Sequence, residues 1–442
     1  MNQTLQSIGF GITAALCLAM MAQAENPPPS ETRPAVTAAA SRWQADAFPI
    51  GFWVGPPPAL NTPEAYRMMK DCGFTFASSS IGYTKADNLK MLDHCQGAGL
   101  KALVGFHEQM IPALPGGDGW DAMAEAGVQD YGSHPALGGW SVFDEPRADA
   151  FPGLAKMNRT FGERAPGKLR FFNLLPNYAT PEQWGTSSYQ EYLDRFLTTV
   201  KPDVLCYDHY ALMKDGTLRP EYFQNLAFIR EAALRHGVPA WNGILSWSHG
   251  PFASPTPGQM RWQVWTSLAY GMKGIMYFIL WPYPEWKVDN TFPGIVDSSG
   301  RPSPIYPEVK KLNHQMHTLG KTLLTLTSTG VYHAGEIPRG GQPVPPDAAL
   351  QPPANQPLLV GFFRKDGTDE QYAIVVNRDY AKPVECDLSL HSAVQEMQLI
   401  SATDGTLSGL PVAGGKLPLS LAPGEGKLLK LSVKPRAPDP SK

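Results

Sequence analysis

The chain has 442 residues, a length that favours one large domain and a smaller one because single cores seldom grow past about 300 residues. Its formal net charge is −3 and its Lys and Arg residues form no runs, which argues against a nucleic acid or an anionic membrane as the ligand. We therefore expect a neutral ligand. Aromatic residues make up 10% of the chain and include 11 Trp, which either fill a core or stack on sugar rings.

The first residues have the pattern of a secretory signal. An apolar run from Ile8 to Ala22 ends in Ala22-Gln23-Ala24, a small-x-small cleavage site. The run is shorter than the roughly 20 residues that a membrane span needs. We expect residues 1–24 to be removed and the mature chain to be secreted, into the periplasm or outside the cell, without a membrane span. Residues 25–47, rich in Pro, Ala, Ser and Thr, predict a flexible linker.

From Phe48 onward, short apolar runs alternate with helical patterns, which indicates βα units and a parallel sheet. The predicted strands are Ile50–Val54, Phe74–Ser78, Ala102–Phe106, Gly139–Phe143, Arg170–Leu174, Val204–Tyr207, Ala240–Ile244 and Gly274–Phe278. The predicted helices are Thr62–Asp71, Ala86–Ala98, Phe151–Arg164, Tyr189–Val200, Tyr222–His236, Gln259–Tyr270 and Pro304–Leu319. Eight such repeats, without Gly-x-Gly-x-x-Gly after the first strand, favour an α/β (β/α)8 TIM barrel over a nucleotide-binding sheet. We assign residues 48–325 to this barrel.

After Thr329 the sequence changes to alternating apolar segments separated by Gly, Pro and Asp turns. The predicted strands here are Leu358–Arg364, Tyr372–Asn377, Gln398–Ile400 and Lys427–Val433, and residues 340–357 predict a long loop. This pattern indicates a small antiparallel β-sandwich, which we place at residues 326–437 and to which we assign a structural or accessory role.

Cysteine and histidine spacing gives no sign of a cofactor or a metal site. The chain has no Cys-x-x-Cys pair and no His-x-x-x-His motif. Cys72 and Cys95 come near the ends of successive predicted helices, where a disulfide is one alternative in an oxidising compartment. Cys206 lies in an apolar strand, and we expect a buried, inert thiol there.

Reacting groups of a TIM barrel come from the C-terminal ends of its strands. Asp144 and Glu145 follow the fourth strand directly, a costly place for two carboxyls without a function or a partner. Because strand side chains alternate, we expect only one to face the barrel axis. We favour Glu145 as a proton donor and Asp144 as a group that orients the site. The alternative is that both cap the next helix or pair with Arg147.

A second acid follows the sixth strand. Asp208 is flanked by His209 and Tyr210, which suits a water molecule or sugar hydroxyls as the group it binds. The alternative interpretation is that Asp208 only positions His209 or the substrate.

Three segments resemble clan A glycoside hydrolases, especially relatives of the family 42 β-galactosidases. They are Gly139–Pro146, with the sequence GWSVFDEP, Pro202–Tyr210, with PDVLCYDHY, and Leu268–Phe278, with LAYGMKGIMYF. The resemblance covers roughly residues 48–319 and implies an acid/base Glu after the fourth strand, which Glu145 matches, with Asp144 in place of the usual Asn. It also implies a nucleophilic Glu after the seventh strand, but Pro239–Trp247 contains no carboxylate.

Retaining hydrolysis needs two carboxyl groups about 5 Å apart, and inverting hydrolysis about 6.5–9.5 Å. Three alternatives replace the missing acid: Asp208 acts as base or nucleophile, Glu108 or Glu285 reaches in from a loop, or the protein binds sugar without cleaving it. We prefer inverting hydrolysis of a plant, algal or microbial glycan, with Glu145 as acid and Asp208 as base; the resemblance suggests a β-galactoside. The expected sugar contacts are Trp53, His107, Asp144, Asn173, His209, Tyr210, Trp247 and Trp281.

Overall fold

The computed structural model describes residues 43–105, 119–282 and 293–433. Eight parallel strands form a barrel in which each strand lies beside the next one along the chain, and β8 returns to pair with β1. A backbone bond from Thr75 N to Ile50 O, of 2.8 Å, joins the first two strands. The predicted TIM barrel is confirmed. Its strands are β1 Ile50–Phe52, β2 Phe76–Ser78, β3 Lys101–Gly105, β4 Leu137–Asp144, β5 Leu169–Leu174, β6 Leu205–Asp208, β7 Ala240–Leu245 and β8 Ile275–Phe278.

Helices surround the barrel, and local capping residues begin and end several of them. Thr84, Thr180 and Thr256 each form a capping box, and Gly99 and Gly237 end two helices in the left-handed conformation. In the described ranges no helix is long and apolar enough to cross a membrane. The helices are α1 Pro63–Asp71, α2 Lys85–Ala98, α3 Trp120–Tyr131, α4 Phe151–Arg164, α5 Pro181–Trp184, α6 Tyr189–Thr199, α7 Tyr222–His236, α8 Pro257–Ala269 and α9 Tyr306–Leu323.

Apolar side chains fill the barrel interior below its C-terminal end. The inward-facing set is Phe76, Leu103, Leu169, Phe171, Val204, Cys206, Trp241 and Met276. Trp43 covers the opposite end, with ring centroids 5.7 Å from Trp241 and 6.2 Å from Phe76. Trp43 falls within the stretch predicted as a flexible linker, but it packs against the barrel because this contact removes its large apolar ring from water. The interior is therefore a packed core, and the cavity that Asp144 and Asp208 line lies at its C-terminal mouth.

The C-terminal region contains two antiparallel sheets with an apolar core between them, as predicted for a β-sandwich. One sheet has the order β10-β13-β16 and the other β15-β14-β17-β12-β11-β9. Five of the strands lie outside the segments that the sequence indicates, because they are short or mix exposed and buried residues. The strands are β9 Leu326–His333, β10 Leu350–Gln351, β11 Leu358–Lys365, β12 Gln371–Asn377, β13 Val384–Leu390, β14 Val394–Ile400, β15 Leu407–Gly409, β16 Lys416–Leu421 and β17 Gly426–Val433.

Helix α8 joins the barrel to the six-stranded sheet at very short range. A Cβ atom at Gly361 would lie 2.1 Å from Ala269 O, and one at Gly258 would lie 2.2 Å from Tyr380 O. Apolar residues on this face of the sheet, including Leu359, belong to the same buried cluster as the barrel helices. Glycine is therefore required for the sandwich to pack this closely against the barrel.

The four cysteines of the described residues are free thiols. Cys72 and Cys95 are buried but not joined, so the disulfide alternative is wrong in this structure. Cys206 points into the barrel core, as expected, and burial raises the pKa of its thiol well above the usual value.

Candidate active site

A bulge in β4 decides which of its side chains reach the barrel mouth. Ser141 pairs with Phe171 of β5, whereas Phe143 pairs with Phe172, so the register shifts by one residue between them. The shift places Asp144 opposite Asn173 at the end of the strand. A bulge re-aims side chains in this way, and Asp144 lines the cavity at the C-terminal mouth.

Glu145 follows in a strained backbone conformation. Its φ is +47°, in the left-handed region that non-glycine residues seldom adopt, and its N–H donates to Asn173 O at 2.8 Å. The turn breaks strand alternation, and the carboxyls of both Glu145 and Asp144 lie within electrostatic reach of Asp208. Of the two acids, Asp144 lines the cavity at the mouth, whereas Glu145 follows it in the left-handed turn.

Asn173 connects the acids of two strands. Its Nδ2 donates to Asp144 Oδ1 at 3.1 Å, and its side chain also hydrogen-bonds to Asp208. Its Oδ1 accepts a bond from Cys206 Sγ at 3.7 Å. The sulfur thereby leaves the amide N–H groups free to point at the carboxyls. Asn173 fixes the relative positions of Asp144 and Asp208.

Asp208 is the most enclosed of the three acids, with 8% of its surface exposed. Desolvation raises its pKa to about 6, and hydrogen bonds from Tyr210 and Asn173 oppose that increase. Among the described residues its Oδ1 has no hydrogen-bond partner. The cavity beside it has a volume of about 30 Å³, enough for a water molecule. An unpartnered carboxylate oxygen beside such a space is suited to holding a water.

Strand β7 makes room for Asp208. Gly243 pairs with Asp208 across the sheet, and a Cβ atom at this glycine would lie 2.9 Å from the Asp208 Cβ. β7 carries no carboxylate, and because Gly243 on this strand has no side chain, there is space beside it for Asp208 of β6.

Asp144, at the end of β4, and Glu145, directly after it, are solvent-accessible at the barrel mouth. The cleft walls displace much of the surrounding water, and this desolvation, with the charge of Asp208, raises the pKa of Asp144. The pKa of Glu145 is also raised, by desolvation first and then by the charges of Asp208 and Asp144. A carboxyl with a raised pKa retains its proton toward neutral pH.

No ion pair neutralises these acids within the described ranges. Arg147, the partner that the sequence suggests as an alternative, forms its ion pair with Asp149 at 3.1 Å and also donates to Glu182 O. The pairing of these acids with Arg147 is therefore wrong in this structure. Three carboxyls without a counter-charge among the described residues therefore lie near one another at the mouth, which is costly for folding and typical of a functional site.

The structure separates the other predicted sugar contacts into two groups. Trp53 and Tyr210 line the cavity with Asp144, whereas His209 lies behind β6, where its Nδ1 is 3.0 Å from Asn225 Oδ1. Trp247 and Trp281 are buried, so their rings are covered by protein. These differences follow from strand alternation and loop packing. The predicted residues His107, Glu108 and Glu285 lie outside the described residues.

Two further residues at the mouth were not predicted from the sequence. Tyr178 follows β5, and the pKa of its hydroxyl is raised by desolvation and then by the charges of Asp208 and Glu145. The Cζ atom of Arg219 lies 3.8 Å from the centroid of the Tyr178 ring. Tyr178 lies four residues past β5 and Arg219 three residues before α7, and no sequence motif marks either residue. Within the described ranges no cluster of His, Cys, Asp and Glu is arranged to hold a metal ion.

No protein-family model and no curated protein matches the chain. Among solved structures it is similar to a family 5 glycoside hydrolase from Bacteroides vulgatus, with 12% identity, a TM-score of 0.56, and 87% of this chain and 89% of that chain covered. It is also similar to a structure described as a glycoside hydrolase, with 13% identity, a TM-score of 0.52, and 88% and 93% covered. At this identity the similarity shows a common fold. It agrees with the clan A resemblance at the level of the fold and does not single out family 42.

Proposed function

We propose that the protein is a glycoside hydrolase. The carrying observation is the group of three carboxyls, Asp144, Glu145 and Asp208, which share the C-terminal mouth of the barrel without an ion-pair partner among the described residues. Hydrolysis of a glycosidic bond needs one protonated and one ionised carboxyl in the same site. Two similar structures that are described as glycoside hydrolases support this reaction class.

Glu145 is the proposed general acid. Because desolvation and the charges of Asp208 and Asp144 raise its pKa, it holds a proton that it can transfer to the departing glycosidic oxygen. The backbone of Glu145 is left-handed, with a φ of +47°. A strained backbone at a reacting residue is a common feature of active sites.

Asp208 is the proposed general base. With a pKa of about 6 it is ionised at neutral pH, and its unpartnered oxygen accepts a proton from a water molecule. The water oxygen bonds to the anomeric carbon, the glycosidic C–O bond breaks, and the leaving oxygen takes the proton of Glu145. Solvent then returns the two acids to their starting states. A water that attacks in one step inverts the anomeric configuration.

Asp144 and Asn173 position these groups. The charge of Asp144 helps to raise the pKa of Glu145, and the Asn173 amide holds Asp144 and Asp208 in register. Trp53 and Tyr210 line the same cavity and are the proposed sugar contacts. Aromatic faces suit the C–H surfaces of a sugar ring.

Binding of sugar without cleavage is the less favoured function. In a binding protein, uncompensated carboxyls destabilise the fold without a return in catalysis. Here the site contains a second acid beside Glu145, and neither is neutralised by a described cation. Secretion of the enzyme and action on a plant, algal or microbial glycan, with a β-galactoside first among the candidates, complete the proposal.

The test is hydrolysis of aryl glycosides and polysaccharides by the wild type and Glu145→Gln, with product anomers followed by NMR. We expect the variant to lose activity most on substrates with poor leaving groups, because these need the proton of Glu145. Glu163→Gln, on the exposed face of α4, is the matched control and should keep full activity.

Each outcome bears on the proposal. Loss of activity in Glu145→Gln with an inverted product supports the roles of Glu145 and Asp208. A retained configuration rejects Asp208 as the base of an inverting reaction. Absence of turnover on every substrate, with measurable sugar binding, rejects the hydrolase in favour of a binding protein.

A further inference from the structure

Arg219 is held rigidly at the barrel mouth. Its N–H donates to Ala211 O at 2.9 Å, and a bridge between Leu212 and Leu218 closes the intervening segment into a narrow hairpin. Its guanidinium Cζ lies 3.8 Å from the centre of the Tyr178 ring and 5.6 Å from that of Phe252. Both the backbone and the planar end of the side chain are therefore fixed before any ligand arrives.

Among the described residues this guanidinium has no anionic partner. Ion pairs within the described ranges involve other arginines, such as Arg170 with Asp203 and Arg261 with Glu308. The Nε of Arg219 is buried and has no hydrogen-bond partner among the described residues. A half-buried guanidinium without a carboxylate is unusual, because its donors normally form paired bonds with an anion.

His209, a described titratable group on which the charge of Arg219 acts, does not supply a negative charge. His209 lies close enough for the charge of Arg219 to act on it, and desolvation lowers the pKa of His209 to about 3, so the imidazole is neutral. Its Nδ1 is 3.0 Å from Asn225 Oδ1, which also accepts a bond from Asn177 N; Nδ1 is thus the donor and Nε2 an unfilled acceptor. The imidazole cannot act as a counter-ion.

Arg219 is also not the counter-ion of the catalytic acids. The pKa values of Asp144, Glu145 and Asp208 are set by desolvation, by one another and by hydrogen bonds, and the charge of Arg219 is not among their causes. Desolvation raises the pKa of the Tyr178 hydroxyl, and the charges of Asp208 and Glu145 raise it further, while the charge of Arg219 lowers it. The ring on which Arg219 stacks is therefore close enough to the acids to respond to their charge.

We propose that Arg219 binds an anionic substituent, a carboxylate or a sulfate ester, on the sugar chain that occupies the cleft. This inference rests on the proposed glycoside hydrolase function and narrows its substrate class to acidic glycans. The planar fork of guanidinium N–H groups matches two oxygens of either anion. Stacking on Tyr178 leaves the edge of the guanidinium for this contact.

The net charge of −3 led us to expect a neutral ligand, and this inference modifies that expectation locally. Overall charge governs long-range attraction, whereas one fixed guanidinium recognises a single substituent at short range. An acidic glycan with widely spaced charges satisfies both observations.

The experiment compares matched neutral and acidic substrates. The pairs are 4-nitrophenyl glucoside against glucuronide and 4-nitrophenyl galactoside against its 6-sulfate, in both anomers, with neutral, uronate-containing and sulfated polysaccharides alongside. Arg219→Met removes the charge and keeps the stem, Arg219→Lys keeps the charge without the fork, and Arg159→Met, at an exposed position on α4, is the control.

We expect the wild type to prefer the acidic member of at least one pair. Arg219→Met should raise KM for that member by about 10- to 100-fold, as loss of a charge-assisted bond predicts, while kcat/KM for the neutral member stays within about 2-fold. The KM of Arg219→Lys for the acidic member should lie between those of the wild type and Arg219→Met. The pair that responds identifies the anion as carboxylate or sulfate. An equal effect on neutral and acidic substrates, or a wild type that prefers neutral ones, overturns the inference.

Calorimetry separates this inference from the proposed function. Oligosaccharides from the uronate and sulfated polysaccharides are titrated into Glu145→Gln with and without Arg219→Met. Binding that depends on Arg219 without any hydrolysis by the wild type supports the anion site and rejects the hydrolase. Hydrolysis of neutral glycans together with anion binding that ignores Arg219 supports the hydrolase and rejects the anion site.

Discussion

Replacement of Asp208 by Asn should stabilise the fold at neutral pH. The buried carboxyl of Asp208 has a pKa raised from 3.8 to about 6 by desolvation, so ionising it costs more in the folded protein than in the unfolded chain. At about 1.4 kcal/mol for each pKa unit, this difference corresponds to about 3 kcal/mol. A neutral Asn of the same shape removes this cost and still accepts the bond from Tyr210.

The gain should depend on pH in a defined direction. Because the folded-state pKa of Asp208 is raised, the wild type has its full stability below pH 4, where the carboxyl is protonated in both the folded and the unfolded state. It loses stability as the pH rises through about 6. The free energy of unfolding of Asp208→Asn minus that of the wild type should grow from near zero at pH 3.5 to about 3 kcal/mol at pH 8.

Urea titrations of both proteins at pH 3.5, 5, 6.5 and 8 measure this difference. Asp369→Asn, at an exposed position between β11 and β12, controls for the general effect of removing a negative charge. A difference that is constant with pH, or a variant that is less stable at pH 8, would refute the view that Asp208 is a desolvated acid maintained at the expense of stability.

Three further predictions concern the site and the fold. Asp144→Asn removes a charge that raises the pKa of the general acid, so the alkaline limb of the kcat/KM profile should move to lower pH while the acidic limb stays; an unmoved alkaline limb contradicts the assignment. Gly361→Ala places a Cβ 2.1 Å from a backbone oxygen of α8 and should lower the free energy of unfolding by about 1–3 kcal/mol, whereas Gly409→Ala, with open space around it, should be neutral in the same urea titration. Asp203→Asn leaves the buried Arg170, whose Nε donates to Asp203 at 2.7 Å, without its counter-charge and should cost about 3–5 kcal/mol, measured by the shift in the urea midpoint; a change below 1 kcal/mol would show that the pair is solvated.

The barrel was predictable because its signals are local. Each strand is a short apolar run bounded by turn residues, and helices such as Phe151–Arg164 and Tyr222–His236 have the bounds that periodicity predicts. Helix α3 gives a weaker signal, since it begins after Gly119 without a side-chain cap. Short sandwich strands such as β15, three exposed residues long, give almost none.

The strand-end positions of the candidate acids could be read from the sequence, but their arrangement could not. The rule that TIM-barrel chemistry lies at strand ends selects Glu145 and Asp208 from the sequence alone. The β4 bulge and the left-handed turn depend on pairing with β5, a long-range contact that no local pattern encodes. For the same reason His209 was expected in the cleft, although alternation after Asp208 sends it to the other side of the strand.

The glycine on β7 also limits how this site could change over evolution. Gly243→Glu, with Asp208 in place, would bring two Cβ atoms within 2.9 Å, so an acid at that position and one at Asp208 exclude each other. A change of Asp208 alone leaves the site without its base, and a change of Gly243 alone disrupts the sheet. Single substitutions therefore do not convert an enzyme with the acid at position 208 into one with the acid at position 243. A library meant to move the acid from β6 to that position of β7 must vary both residues together.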